Sequence, residues 1–141
     1  MEKIIKLSFF FGFLLTVGNA NASLSCPSNI TCNYDSGVCN MPSGWTLVAN
    51  NGSTDVFSGE IIIGLSQISA DKTGFAPNEI SYEMACSYKY SEHFFIYFIR
   101  TVKELTGNNW VFSGFGKSRG ECSDITDPTT CVGENQLKSK I

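Results

Sequence analysis

Six cysteines (Cys26, Cys32, Cys39, Cys86, Cys122 and Cys131) constrain this chain more than any other feature. In a chain of 141 residues, an even set of this kind reads as a disulfide framework built outside the cytoplasm. Six cysteines allow fifteen pairings. Proximity along the chain favours one of them. Cys32 and Cys39 flank the turn-forming Asp35-Ser36-Gly37 and make a small clip. Cys122 and Cys131 flank Asp127-Pro128 and make a second. Cys26 is then left to close on Cys86, tying the start of the domain to a core strand. By loop entropy each clip is worth about 2.5 kcal/mol and the long closure about 4 kcal/mol. A metal site is the alternative use of cysteine. The chain has no Cys-x-x-Cys, and its one histidine is His93, so neither zinc nor any other metal or cofactor is expected.

The residues ahead of the cysteines fit the same compartment. Lys3 and Lys6 form a basic start, and Leu7 to Val17 is an apolar run. Ala20-Asn21-Ala22 places small residues for cleavage before Ser23. That is a secretory signal peptide, so residues 1–22 are expected to leave and residues 23–141 to form a single exported β domain. Gly18-Asn19-Ala20 offers a second cleavage site. Ser23 sits three before Cys26, where a lipoprotein signal wants leucine, which argues against a lipid anchor. The longest later apolar run, Phe94 to Ile99, is far short of the roughly 20 residues that span a bilayer. No membrane span is expected after signal removal, and the expected location is secreted or periplasmic.

Composition excludes two classes. A hydrophobic content of 43% is too high for a disordered chain. Ten Lys+Arg against 13 Asp+Glu give no basic footprint for nucleic acid, and the pair Lys117 and Arg119 is too small to supply one.

Alternation dominates the pattern. Ile80, Tyr82, Met84, Cys86, Tyr88 and Tyr90 fall on one face of a strand, with polar or small residues between them. Phe57, Ile61, Ile63 and Leu65 share another face. Phe94 to Ile99 is apolar on both faces and is expected to be a central strand covered from both sides; a helix over Phe94 to Val102 has the same periodicity. Trp45 to Ala49 and Trp110 to Phe115 read as further strands. Turn formers separate the runs: Pro42-Ser43-Gly44, Asn50-Asn51-Gly52-Ser53, Asp71-Lys72-Thr73-Gly74, Ser91-Glu92 and Thr106-Gly107-Asn108. The fold class is therefore all-β, a single disulfide-stapled antiparallel sandwich or small barrel. The tail from Gly133 to Ile141 is polar and expected to fray. Val56-Phe57-Ser58-Gly59 recurs as Val111-Phe112-Ser113-Gly114, but the flanks do not match, so chance accounts for the echo.

Several short motifs recur in one known layout. The chain after the leader opens Cys26-Pro27-Ser28-Asn29-Ile30, and Gly37-Val38-Cys39 leads to Pro42-Ser43-Gly44-Trp45. A Cys86-Ser87-Tyr88 strand, a Trp110 strand and the closing Cys122 and Cys131 follow. This layout resembles a family of small exported bacterial proteins classed only as a domain of unknown function. The resemblance spans nearly all of the chain after the leader and implies a secreted or periplasmic β domain with no assigned activity and no catalytic residues to carry over.

A search for chemistry finds little. Gly116-Lys117-Ser118 ends like a phosphate-binding loop, but Val111 stands where the motif needs its first glycine. Gly114, Gly116 and Gly120 are misspaced for a dinucleotide fingerprint. A Ser or Cys nucleophile needs a base, and His93 at a strand start is the one histidine. Glu79 with Glu83, and Asp124 with Asp127, pair by sequence only, as glycosidase carboxylates or a weak calcium site would. The aromatics Trp45, Tyr88, Tyr90, Tyr97 and Trp110 are the candidate ligand-binding residues, as a stacking platform for sugar rings; filling the core is their other use. Asn29-Ile30-Thr31 and Asn51-Gly52-Ser53 have the glycosylation pattern, which matters only in a eukaryotic secretory pathway. The expected function is a non-enzymatic binding module for an extracytoplasmic protein or carbohydrate. Alternatives are a small hydrolase with a carboxylate pair, and a structural or inhibitory protein presenting a loop such as Ser123 to Thr130.

Overall fold

The computed structural model describes residues 24–33, 35–51, 59–74, 79–91 and 94–135. The leader, His93 and the first copy of the Val-Phe-Ser-Gly echo, apart from Gly59, lie outside the described residues. The rest is nearly all strand. The strands are β1 (Asn29–Asn33), β2 (Val38–Cys39), β3 (Thr46–Asn51), β4 (Glu60–Gly74), β5 (Ser81–Ser91), β6 (Phe94–Val102), β7 (Glu104–Thr106), β8 (Trp110–Ser113), β9 (Arg119–Cys122) and β10 (Val132–Glu134). One 3-10 turn, Pro128–Thr130, precedes β10.

The main sheet is antiparallel and runs β2-β1-β4-β5-β6-β3, with β9 also on β4 and β8 on β9. It curls into a half-barrel. A two-stranded β10–β7 sheet sits beside it. The sheet branches because β4 is 15 residues long. Its first part pairs with β1 at Glu60–Gly64 and its later part with β9 at Ser69–Asp71.

The inner face carries the core. In β5, Met84, Cys86 and Tyr88 are fully buried with Tyr82 beside them, as the alternation requires. In β4 the parity changes midway. Ile61, Ile63 and Leu65 pack inward, and then a bulge between Leu65 and Gln67 lets Ile68 and Ala70 take over the inner positions. The Tyr88 ring meets Phe98 edge-to-face, with centroids 6.3 Å apart. Its hydroxyl donates to the Pro27 carbonyl at 2.8 Å, which satisfies the polar end of a side chain with no exposure.

The disulfides are Cys26–Cys86, Cys32–Cys39 and Cys122–Cys131. Cys26 and Cys86 are buried, so the long closure runs through the core. Cys32 and Cys39 face each other directly across β1 and β2. Three disulfides mark an oxidising, extracytoplasmic environment. No helix among the described residues is long and apolar enough to cross a membrane.

Four expectations need correction. Asp71-Lys72-Thr73-Gly74 is strand, not turn. Asp71 lies between Glu83 of β5 and Arg119 of β9, and two neighbouring strands override the local turn preference. β6 is central in the sheet but is covered on one face only. Ile96, Phe98 and Val102 are buried, whereas Phe95, Tyr97 and Ile99 on the other face remain half-exposed beside Ala85 and Ser87. Trp110 to Phe115 is not one strand. It ends at Ser113, where Gly114 takes positive φ. The tail does not fray from Gly133. That glycine lies in β10, exchanges backbone hydrogen bonds with Leu24, and is packed so closely that a Cβ would stand 2.7 Å from Val102 Cγ1.

Candidate functional site

The candidate aromatics do not share a surface. Tyr88 is buried in the core. Trp45 and Trp110 pack against the core cluster. Tyr97 pairs with Ser87, which puts it on the face opposite Tyr88. Tyr90 belongs to β5, but its side chain lies outside the described residues. Three of the four described rings therefore hold the fold together, and no exposed stacking platform forms among them.

The carboxylates of Glu79, Glu83, Asp124 and Asp127 are exposed. Asp124 accepts from the Thr126 hydroxyl and its backbone N–H, and those bonds hold its carboxyl below the usual range. Asp127 accepts from the Thr129 hydroxyl and N–H and caps the 3-10 turn. These acids shape Ser123–Thr130 into a loop folded on itself, with Pro128 buried. Pro128 anchors the loop, while Ser123, Asp124, Thr126, Asp127 and Thr129 stay exposed.

Exposed apolar surface is presented by the hairpin just before it. β8 and β9 pair in regular register from Trp110↔Cys122 to Ser113↔Arg119. Five residues, Gly114-Phe115-Gly116-Lys117-Ser118, connect them. Lys117 N–H donates to the Gly114 carbonyl at 3.2 Å and closes a four-residue turn. Gly116 at the third position has φ 64° and Lys117 has φ 56°, so the turn depends on positive φ. At its second position stands Phe115, which is 99% exposed. Val111 (57%) and Phe112 (38%) expose apolar surface along the same hairpin.

The base of this hairpin is fixed in several ways. The Trp110 indole N–H donates to the Thr106 carbonyl at 3.0 Å and lies 3.3 Å from that of Val132. Gly120 is buried beneath the Trp110 and Phe112 rings, where a Cβ would stand 3.2 and 3.3 Å from them. Cys122 is bonded to Cys131. Lys72 N–H donates to the Ser118 carbonyl at 2.8 Å. Arg119 bonds Glu121 and Asp71, and those two carboxylates hold its guanidinium firmly charged. Lys117 has no side-chain partner among the described residues. A rigid arm with an apolar tip and one free cation is what this segment builds. Sequence reasoning missed it by reading Phe115 as strand. The signal was the glycine on either side of an aromatic residue, a turn pattern in which the ring has nothing to pack against.

Fold and site thus define a disulfide-stapled antiparallel half-barrel that presents a braced hairpin. No family model matches the chain, and no curated protein or solved structure matches it significantly.

Proposed function

We propose that this chain is an exported, non-enzymatic binding module that engages a protein partner through the β8–β9 hairpin, after residues 1–22 leave as a signal peptide. The observation that carries this reading is Phe115, fully exposed at the tip of a hairpin braced at its base. Leaving a phenylalanine in water forgoes about 1.5–3 kcal/mol of burial. A partner with an apolar pocket recovers that energy. The rigid backbone keeps the entropy cost of docking small, and aromatic anchors of this kind dominate protein interfaces.

A membrane is the weaker occupant. Even one myristoyl chain gives only marginal lipid binding, and Phe115 with the partly exposed Val111 and Phe112 offers less apolar surface than that. The net charge of −3 on the full chain, which becomes −4 once Glu2, Lys3 and Lys6 leave, also opposes attraction to anionic lipid.

The test places a photo-crosslinking phenylalanine analogue at position 115, and separately at exposed Val48 as a control, in the producing cell. A discrete protein adduct from position 115 alone is expected. Phe115→Ala should then weaken binding of the captured partner about 30-fold while leaving denaturation unchanged. Lipid adducts, no adduct from position 115, or unchanged affinity of the alanine variant would each overturn the reading.

A further inference from the structure

The outer face of the β2–β1–β4 edge carries a second set of exposed groups, away from the hairpin. Pair register places Val38, Asn33 and Glu60 in one row across the three strands. Thr31 and Ile62 form the next row, and Asn40 joins it through two bonds. Asn40 N–H donates to the Thr31 carbonyl at 2.9 Å, and Asn40 Oδ1 accepts from Thr31 N–H at 2.8 Å. The polar members border an open depression of about 610 Å³. Val38, 65% exposed, lines it with apolar surface, and Ile62, 68% exposed, pairs with the lining residue Thr31. The Cys32–Cys39 bond holds the hairpin behind it.

The chemistry of the rim follows from what its amides already do. Asn33 Oδ1 accepts from Ser36 N–H at 3.1 Å. Asn40 Oδ1 is likewise committed to a backbone N–H. A backbone N–H can only donate, so it fixes which end of each amide is oxygen. Each amide is thus left with an NH₂ group, a pure donor, that has no partner among the described residues. Glu60 adds a carboxylate, a pure acceptor with no partner among the described residues. An anionic ligand would meet Glu60, and a cationic one would meet the two amide donors. A hydroxyl group both accepts from an NH₂ and donates to a carboxylate.

We infer that this depression binds a neutral, hydroxyl-rich ligand of the saccharide class, with Asn33 and Asn40 donating, Glu60 accepting, and Val38 covering a C–H face of the ring. The site is independent of the β8–β9 hairpin.

The test follows backbone and side-chain amide resonances of the isotope-labelled, oxidised chain. It is titrated in parallel with cellobiose, N,N′-diacetylchitobiose, inorganic phosphate and a Gly-Ser peptide. Saturable movement of the Asn33 and Asn40 NH₂ signals is expected with at least one disaccharide. Asn40→Asp keeps the oxygen that Thr31 N–H needs and removes the donor. It should weaken that binding about tenfold or more without disturbing the rest of the spectrum. Glu60→Gln, on an exposed side chain without a partner among the described residues, gives a second readout that leaves the hairpin's own hydrogen bonds alone. It should weaken binding in the same direction. Phe115→Ala should leave binding unchanged. No response to either disaccharide, a response only to phosphate or peptide, or full binding by both Asn40→Asp and Glu60→Gln would overturn the inference.

Discussion

Tyr88→Phe keeps a buried ring and removes one hydroxyl. That hydroxyl donates to the Pro27 carbonyl at 2.8 Å inside the core. Losing a net hydrogen bond costs about 1 kcal/mol, and stranding the carbonyl raises the total to about 2 kcal/mol. With an m-value of about 2 kcal/mol per M in urea, the midpoint falls by about 1 M. The pH dependence supplies a second, independent signature. Burial pushes the Tyr88 phenol well above the usual tyrosine range. Below pH about 10 it is neutral in both the folded and the unfolded chain. Above that, the unfolded chain releases the proton and the folded chain keeps it. The unfolded state then binds fewer protons, so stability falls with rising pH, by about 1.4 kcal/mol per unit. The contribution is complete below the unfolded pKa and is lost above it. Tyr88→Phe lacks this group and escapes that fall. The gap between the two proteins, about 2 kcal/mol at pH 8, should therefore close near pH 11.5. Urea titrations of both oxidised proteins across this range, followed by tryptophan fluorescence, measure the gap directly, and every other titrating group cancels in the difference. A gap that stays constant to high pH refutes the burial argument. No gap at pH 8 refutes the hydrogen bond.

Replacing Cys26 and Cys86 by alanine should cost about 4 kcal/mol, against about 2.5 for Cys32 and Cys39; an equal or reversed order by urea denaturation contradicts the loop-closure account. Gly133→Ala places a methyl against Val102 and Met84 and should destabilise by about 1–3 kcal/mol, whereas a neutral result would mean β10 is not packed as described. Replacing the five residues from Gly114 to Ser118 by Asn-Gly preserves the Ser113↔Arg119 closure with a two-residue turn. It loses the bond from Lys72 N–H to Ser118 at a cost of about 1 kcal/mol and gains about 0.8 kcal/mol from the shorter loop. Stability should thus change little while partner capture disappears, and a loss of several kcal/mol would show that the tip serves the fold.

The sequence carried the covalent frame and the class of fold because both rest on short-range information. The Asp35-Ser36-Gly37 turn brings Cys32 to Cys39, and the Asp127 cap shapes the loop that brings Cys122 to Cys131. Cys26 and Cys86 then follow by elimination, and the structure pairs the same cysteines. The clean alternation of β5 was legible for the same reason. β4 was not. Its inner face passes from odd to even positions at one bulge, and a bulge leaves no mark in residue type. Asp71 to Gly74 has turn composition, yet two neighbouring strands keep it extended. The strands β1, β9 and β10 are short and polar or glycine-containing, and their pairings with β4 and β7 are long-range, so no local window contains them. The candidate site failed for a related reason. Trp45, Tyr88 and Trp110 are as suited to a core as to a ligand, and only packing decides between the two.

That decision has a consequence for where binding surface remains. The core takes Tyr88, Phe98, Trp45 and Trp110. The same hairpin divides the two uses within six residues. Trp110 hydrogen-bonds two backbone carbonyls and packs against the core cluster, whereas Phe115 exposes its whole ring. Stability does not require Phe115 to be aromatic, since nothing packs on it. The positive φ of Lys117 carries a conformational cost for a residue with a Cβ. The tip of this hairpin thus gives the fold little burial and a strained turn, which is the observation on which the proposed partner surface rests.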